Sequence, residues 1–169
     1  MSRLILVCGE TGAGKTTYSI ELSNDINAVR LSIDPWMQTL FSKDMQSLDF
    51  SWITERVERC QEQIWDVSVQ ILQTGGNVVL DLGFTTQAQR TAFLQKASGV
   101  GVAAEVHYLD APEELRRTRV QRRNKTKDPR VYSFEVTKQM FDFMEPRFER
   151  PTATELRHGK RIESIERAV

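Results

Sequence analysis

Gly9, Gly14, Lys15 and Thr16 stand in the stretch GETGAGKTT at the spacing GxxxxGK[ST], directly after the apolar run Leu4-Ile5-Leu6-Val7-Cys8. That pattern suits phosphate. Backbone N–H groups of a glycine-rich turn can converge on phosphate oxygens, the helix that follows presents its positive end, and larger side chains would obstruct the approach. Lys15 can then reach the β- and γ-phosphates of a nucleoside triphosphate, and the Thr16 hydroxyl can ligate Mg²⁺. The whole loop, Gly9, Glu10, Thr11, Gly12, Ala13, Gly14, Lys15, Thr16 and Thr17, is the expected nucleotide-binding segment. A chance glycine turn is the alternative; a strand before, a helix after and the complete spacing count against it.

Two acids follow apolar runs. Asp81 ends Val78-Val79-Leu80 and is expected at the C-terminal edge of a parallel strand, where a carboxylate can hold Mg²⁺ through a water. A helix cap or turn acid is the other reading of it. Asp34 follows Leu31-Ser32-Ile33, where it could accept the proton of a hydroxyl attacking the γ-phosphate. Asp34-Pro35 is also a common turn initiator, and the phosphate loop tips the reading toward catalysis. Trp36 and Met37 are open between lining an acceptor pocket and packing in the core.

From Arg116 to Arg130 the chain reads RRTRVQRRNKTKDPR, eight basic residues opposed by Asp128 alone. Three readings compete: a lid closing over ATP, a nucleic-acid surface, and a solvated helix face. At about 100° per residue, Arg119 and Arg122 share the side of Leu115, with Arg116 and Arg123 on the adjoining flank. The lid is favoured for Arg119 and Arg123, while Arg116, Arg117 and Arg122 stay open. His107 and His158 have no evident partner in sequence, and no nucleophile elbow or guanine-reading NKxD motif occurs.

The elements that must hold these residues can be read from periodicity. Arg3–Cys8 reads as a buried strand, 14–26 as a helix, 28–33 as a second strand stopped by Asp34-Pro35, and 52–73 as one long amphipathic helix ended by Thr74-Gly75-Gly76. Then come a strand over 77–82, a helix over 86–97, a strand over 102–109 and a helix over 112–124 with proline in its first turn. A polar stretch, 124–133, leads to a helix over 134–143, and a short strand is expected near 161–165. Alternating strands and helices argue for an α/β fold with a mainly parallel sheet covered on both faces.

The 169 residues fit one domain, 1–169, with a basic lid region at about 116–133. Hydrophobic residues make up 40% and charged residues 27%, which allows a proper core. Lys plus Arg and Asp plus Glu are 23 each, so overall charge favours neither nucleic acid nor membrane. Cys8 and Cys60 form no metal-ligand pattern, which fits a reducing, cytoplasmic setting. Five apolar residues after Arg3 are too few for a signal core or a membrane span. No feature speaks to oligomeric state.

The chain resembles the AAA-type ATP-binding proteins of the small P-loop kinase superfamily, relatives of polynucleotide kinase, gluconate kinase, chloramphenicol phosphotransferase and zeta toxins. The likeness rests on GETGAGKTT, SID at 32–34, VVLDLGFTTQAQR, HYLDAPEEL, RVQRRN and FERP, and runs over nearly the whole chain. It implies an adenylate-kinase-like P-loop NTPase three-layer sandwich with a five-stranded parallel sheet in the order 2-3-1-4-5. By resemblance, Asp34 is the general base, Arg119 and Arg123 are lid-helix arginines, Arg130 lies in the lid loop near ATP, Asp81 takes the second acidic position, and acceptor residues lie in about 36–73. The expected activity is Mg²⁺- and ATP-dependent transfer of a phosphoryl group to a hydroxyl of a small molecule. Phosphorylation of nucleic-acid 5′ ends, a nucleotide-dependent regulator and plain ATP hydrolysis are the alternatives.

Overall fold

The computed structural model describes residues 2–44 and 49–163. Strand β1 (Arg3–Cys8) runs into the glycine loop and helix α1 (Lys15–Asp25); β2 (Ala28–Ser32), α2 (Ile33–Phe41), α3 (Phe50–Gln73) and β3 (Asn77–Asp81) follow. The second half carries α4 (Gln87–Gly99), β4 (Ala103–Asp110), α5 (Glu113–Thr126), α6 (Lys138–Met144) and β5 (Lys160–Glu163). The five strands form one sheet in the order β2-β3-β1-β4-β5, and every pairing is parallel. This is the P-loop sandwich order expected above.

Strand alternation divides the core into two layers. Leu4, Leu6 and Cys8 of β1 face one way, with Val78, Leu80 and Val106, toward Cys60, Ile64 and Leu72 of α3 and Phe93 and Ala97 of α4. Ile5, Val7 and Val79 face the other way, toward Tyr18 and Leu22 of α1 and Ile26 just after it. Each fully buried aliphatic side chain contributes about 1.5–3 kcal/mol by leaving water. Strand β1, apolar on both faces, is therefore the most firmly held, and the glycine loop grows from its end. Burial pushes the Cys8 thiol up to about 12, which leaves it a small inert apolar group.

Three boundaries differ from the sequence reading. Ile33 opens α2 rather than closing β2, so Asp34-Pro35 is the first turn of a helix; proline's fixed φ suits that turn, and its missing N–H would have had no partner there. The helix expected over 134–143 is shorter and later. Asn124 at the end of α5 brackets Val136, its amide donating to the Val136 carbonyl at 2.8 Å and accepting from the Val136 N–H at 3.2 Å. Thr137 then caps α6, its hydroxyl accepting from the Met140 N–H at 3.2 Å. The final strand is Lys160–Glu163, in register with His107–Asp110; the rest of the stretch expected to be strand, 164–165, lies outside the described residues.

The segment after α6 is pinned across the top of the sheet by charge. Arg90 of α4 is fully buried and donates to Glu155 Oε1 at 2.6 Å, to Glu155 Oε2 at 3.4 Å and to the Phe84 carbonyl at 3.1 Å. The Glu149 N–H reaches the Thr85 carbonyl at 2.9 Å, so 148–155 lies against the loop after β3. Among the described residues no helix is long and apolar enough to cross a membrane.

Candidate active site

The glycine loop is shaped by close approach. Gly12 has φ +81°, and a Cβ there would lie 2.6 Å from the Arg116 carbonyl oxygen; at Gly9 it would lie 2.7 Å from that of Leu109. The loop therefore nests against β4 and α5 only because those side chains are absent. Helix α1 starts from Gly14 with no side-chain cap and no acid in its first turn, whereas Asp49, Thr86 and Thr137 cap α3, α4 and α6. Its first N–H groups and its positive end are left for an anion.

Lys15 lies over this loop, its Nζ donating to the Gly9 carbonyl at 2.8 Å and to that of Glu10 at 3.1 Å. Burial pushes its pKa down, and the nearby carboxylates of Asp81 and Asp34 oppose that shift. Asp34, on the first turn of α2, is an exposed residue that lines the cleft, its carboxyl set among the charged groups there. Its carboxyl is held above the usual range, first by burial and then by Asp81, against the pull of Lys15, Arg123 and Arg30. Asp81, only 5% exposed, is gripped at Oδ2 by Arg30 at 2.7 Å, with the Ser32 hydroxyl at 3.5 Å.

These groups share a cleft of about 960 Å³, lined by the loop, Asp34, Asp81, Arg119, Arg122 and Arg123. Arg119 donates to the Ala13 carbonyl at 3.3 Å. Burial pushes the Arg123 guanidinium down, Asp34 opposes this, and Arg123 Nε is buried with no hydrogen-bond acceptor among the described residues. The helical placement of Leu115, Arg119 and Arg122 on one side holds, since all three line the cleft.

Other expected residues go elsewhere. Arg130 stands 82% exposed and outside the cleft lining, paired at 2.7 Å with Asp128, which is itself a lining residue. Arg116 is buried against the structure, donating to the Ala111 carbonyl at 3.0 Å, the Thr11 carbonyl at 3.2 Å and Glu145 at 2.7 Å. Arg117 bridges Glu113 and Asp142. The Glu10 backbone belongs to the loop, yet its carboxylate turns away to the Tyr108 hydroxyl at 3.3 Å and Arg150 at 3.4 Å. Trp36 and Met37 pack on the core. No described residue between 36 and 73 lines the cleft; Thr85, Met140, Met144 and Phe148 do.

Two groups were missed in the sequence. His107 has partners after all: it is fully buried, its Nε2 meets Glu105 at 3.2 Å and its Nδ1 meets the Tyr18 hydroxyl at 2.8 Å. A carboxylate only accepts, so the ring proton belongs on Nε2 and Tyr18 donates to Nδ1. Burial lowers the His107 pKa, which favours this neutral form. Arg30 could have been found from register, since Ser32 pairs with Asp81 and Arg30, two residues earlier, faces the same way.

The two oxygen donors expected at a metal, Thr16 and Asp81, both line the cleft. No group of three His, Cys, Asp or Glu residues suited to a metal occurs among the described residues, so an ion here would rely on nucleotide oxygens and water to complete its shell.

A family profile described as "AAA domain" matches residues 4–151. Searched against curated proteins, the sequence has no match. Among solved structures, the chain is similar to Kti12 of Chaetomium thermophilum in complex with ADP-AlF3, at 16% identity and TM-score 0.71, over 95% of this chain and 88% of that one. A sugar kinase from Janibacter sp. matches at 14% identity and TM-score 0.67, over 96% and 86%. The Mycobacterium tuberculosis APS kinase in complex with AMPPNP and APS matches at 14% identity and TM-score 0.64, over 98% and 90%.

Proposed function

The chain belongs to the AAA-domain family, in its small P-loop kinase-like form, and on that footing we propose that it is a phosphotransferase moving the γ-phosphoryl group of ATP to a hydroxyl of a small molecule. The observation that carries this is convergence: Lys15, Asp34 and Arg123 come from three separate elements to one cleft. A switch or a hydrolase has less need of an acid placed as Asp34 is.

In the proposed reaction the loop N–H groups and Lys15 hold the phosphates. The acceptor oxygen bonds to the γ-phosphorus as the bond to the β–γ bridging oxygen breaks, ADP leaves with that electron pair, and the hydroxyl proton passes to Asp34. The raised pKa of Asp34 makes it a stronger base than an ordinary aspartate. Arg119 and Arg123 stabilise charge on the group in transit. Thr16 and Asp81 would hold Mg²⁺, which when bound neutralises the phosphate oxygens.

The nucleic-acid alternative draws less support than its basic run suggested. Arg116, Arg117 and Arg130 are each committed to an acid, and Arg119, Arg122 and Arg123 line the cleft, so the run presents no continuous basic stripe. The free, buried Cys8 and Cys60 support the cytoplasmic setting as part of the proposal.

The test is incubation with Mg²⁺ and γ-labelled ATP against pooled metabolites and 5′-hydroxyl oligonucleotides, with Asp34→Ala as control. Label entering one small acceptor and lost with the variant is expected. Wild-type transfer by Asp34→Ala would remove the proposed base; nucleotide binding with no transfer to any acceptor would favour a regulator.

A further inference from the structure

The loop between β3 and α4 turns through two successive residues with positive φ, Gly83 at +88° and Phe84 at +44°. Glycine is at ease there, whereas a bulky side chain is not. Among the described residues, the other non-glycine positions with positive φ, Asn27 and Lys127, stand just after the C-terminal ends of α1 and α5, where a left-handed residue commonly closes a helix. Phe84 closes no helix. Strain of this kind persists only where surrounding contacts hold it.

Those contacts are specific. The Phe84 ring is 1% exposed and meets Phe93 edge-on, with ring centres 5.1 Å apart. Its carbonyl accepts from Arg90 Nη1 at 3.1 Å, while Nε and Nη2 of the same fully buried guanidinium go to Glu155. The next carbonyl, of Thr85, is held by the Glu149 N–H, and the Glu149 carboxylate accepts from the Gln87 N–H at 2.7 Å. Gly83 and Thr85, on either side of Phe84, both line the cleft that holds Lys15, Asp34 and Asp81. The strained turn thus shapes part of the cleft wall from behind.

Stability gives little reason for a charge pair at this place, since apolar side chains of similar volume often hold a fold as well as a buried ion pair does. They could not grip a carbonyl. A guanidinium can, because its rigid fork carries donors on three nitrogens and spends only two of them on the carboxylate.

We propose that Arg90 is a positioning residue of the cleft: oriented by Glu155, it holds the Phe84 carbonyl and with it the left-handed turn that sets Gly83 and Thr85 in the wall. The holding of the turn stands apart from any reaction, and its effect on turnover rests on the phosphotransferase reading above.

The experiment compares the full chain with Arg90→Leu/Glu155→Leu, which strands no charge, and with Arg90→Lys, which keeps an ion pair but offers one nitrogen in place of three. A cooperative thermal melt shows that each variant is folded. The one-bond Cα–Hα coupling of Phe84, measured by NMR on the isotope-labelled chain, separates positive from negative φ and is expected to leave the positive-φ value in both variants. Affinity for Mg²⁺-ADP by calorimetry should stay within about two-fold of the wild type, while transfer of label from γ-labelled ATP to pooled metabolites should fall about ten- to a hundred-fold. A positive φ retained at Phe84 in either variant overturns the proposal, as does transfer at the wild-type rate once the turn is lost. A loss of Mg²⁺-ADP affinity as large as the loss of transfer also overturns it, because the effect is then not local to the wall. If the wild type itself transfers no label, the phosphotransferase reading alone fails and the coupling at Phe84 decides the role of Arg90.

Discussion

Glu155→Ala tests whether the segment carrying Phe148 and Arg150 is held by one buried ion pair. The Arg90 side chain is 0% exposed and that of Glu155 7%, so truncation strands a guanidinium away from water with only the Phe84 carbonyl left to it. Removing one partner of a buried pair costs about 3–5 kcal/mol, because the desolvated charge remains. Glu155 also accepts from the Thr152 N–H at 2.9 Å and hydroxyl at 3.2 Å, which places the loss toward the upper end. For a chain of this size each kcal/mol moves Tm by about 2–4 °C, giving a fall of roughly 6–20 °C in a thermal melt followed by far-ultraviolet circular dichroism. The double variant Arg90→Leu/Glu155→Leu should recover most of it, since the stranded charge is then gone. Burial alone would raise the Glu155 carboxyl, but hydrogen bonds from Arg90 and Thr152 outweigh it and hold it below the ordinary value of 4.5. Its stabilisation is thus complete above that value and is lost as pH falls through the depressed one, a loss that Glu155→Gln should lack. A Tm change under about 2 °C in Glu155→Ala would refute the reasoning, because a stranded buried charge cannot be that cheap.

Gly12→Ala should abolish nucleotide binding by calorimetry, since its Cβ would meet the Arg116 carbonyl at 2.6 Å at a φ of +81°. Asp34→Asn should lower kcat by about 10²–10⁴ with nucleotide affinity kept; in the wild type the acid limb of kcat/KM should lie above 3.8, because the base is lost as pH falls through its raised pKa. Tyr18→Phe removes one hydrogen bond to a buried His107 and should cost about 1–2 kcal/mol in denaturant unfolding.

The strands and the phosphate loop were legible because both are written locally, whereas the sheet order came through the family resemblance. Val78-Val79-Leu80-Asp81 shows a buried strand with its acid at the functional edge, and four loop residues at fixed spacing have few other uses. What stayed hidden depends on tertiary neighbours. Asp34-Pro35 looks the same in a turn and in a first helical turn until the next residues are seen to pack. Arg130 and Arg123 belong to one basic run, and only the turn after α5 sends one to Asp128 and leaves the other facing Asp34. The cleft residues Met140, Met144 and Phe148 lie more than a hundred residues beyond Asp34 and carry no motif.

The mutual amide bracket between Asn124 and Val136 closes residues 125–135 into a module with its own neck. Arg119 and Arg123 lie on the helix side of that neck. Insertions, deletions and sequence drift inside the module are therefore absorbed before they reach either arginine, since closing a somewhat longer loop on a fixed neck costs little. Change inside the module can thus reshape the cleft wall at Thr126, Asp128, Val131 and Phe134 while the helix that carries the two arginines stays in place.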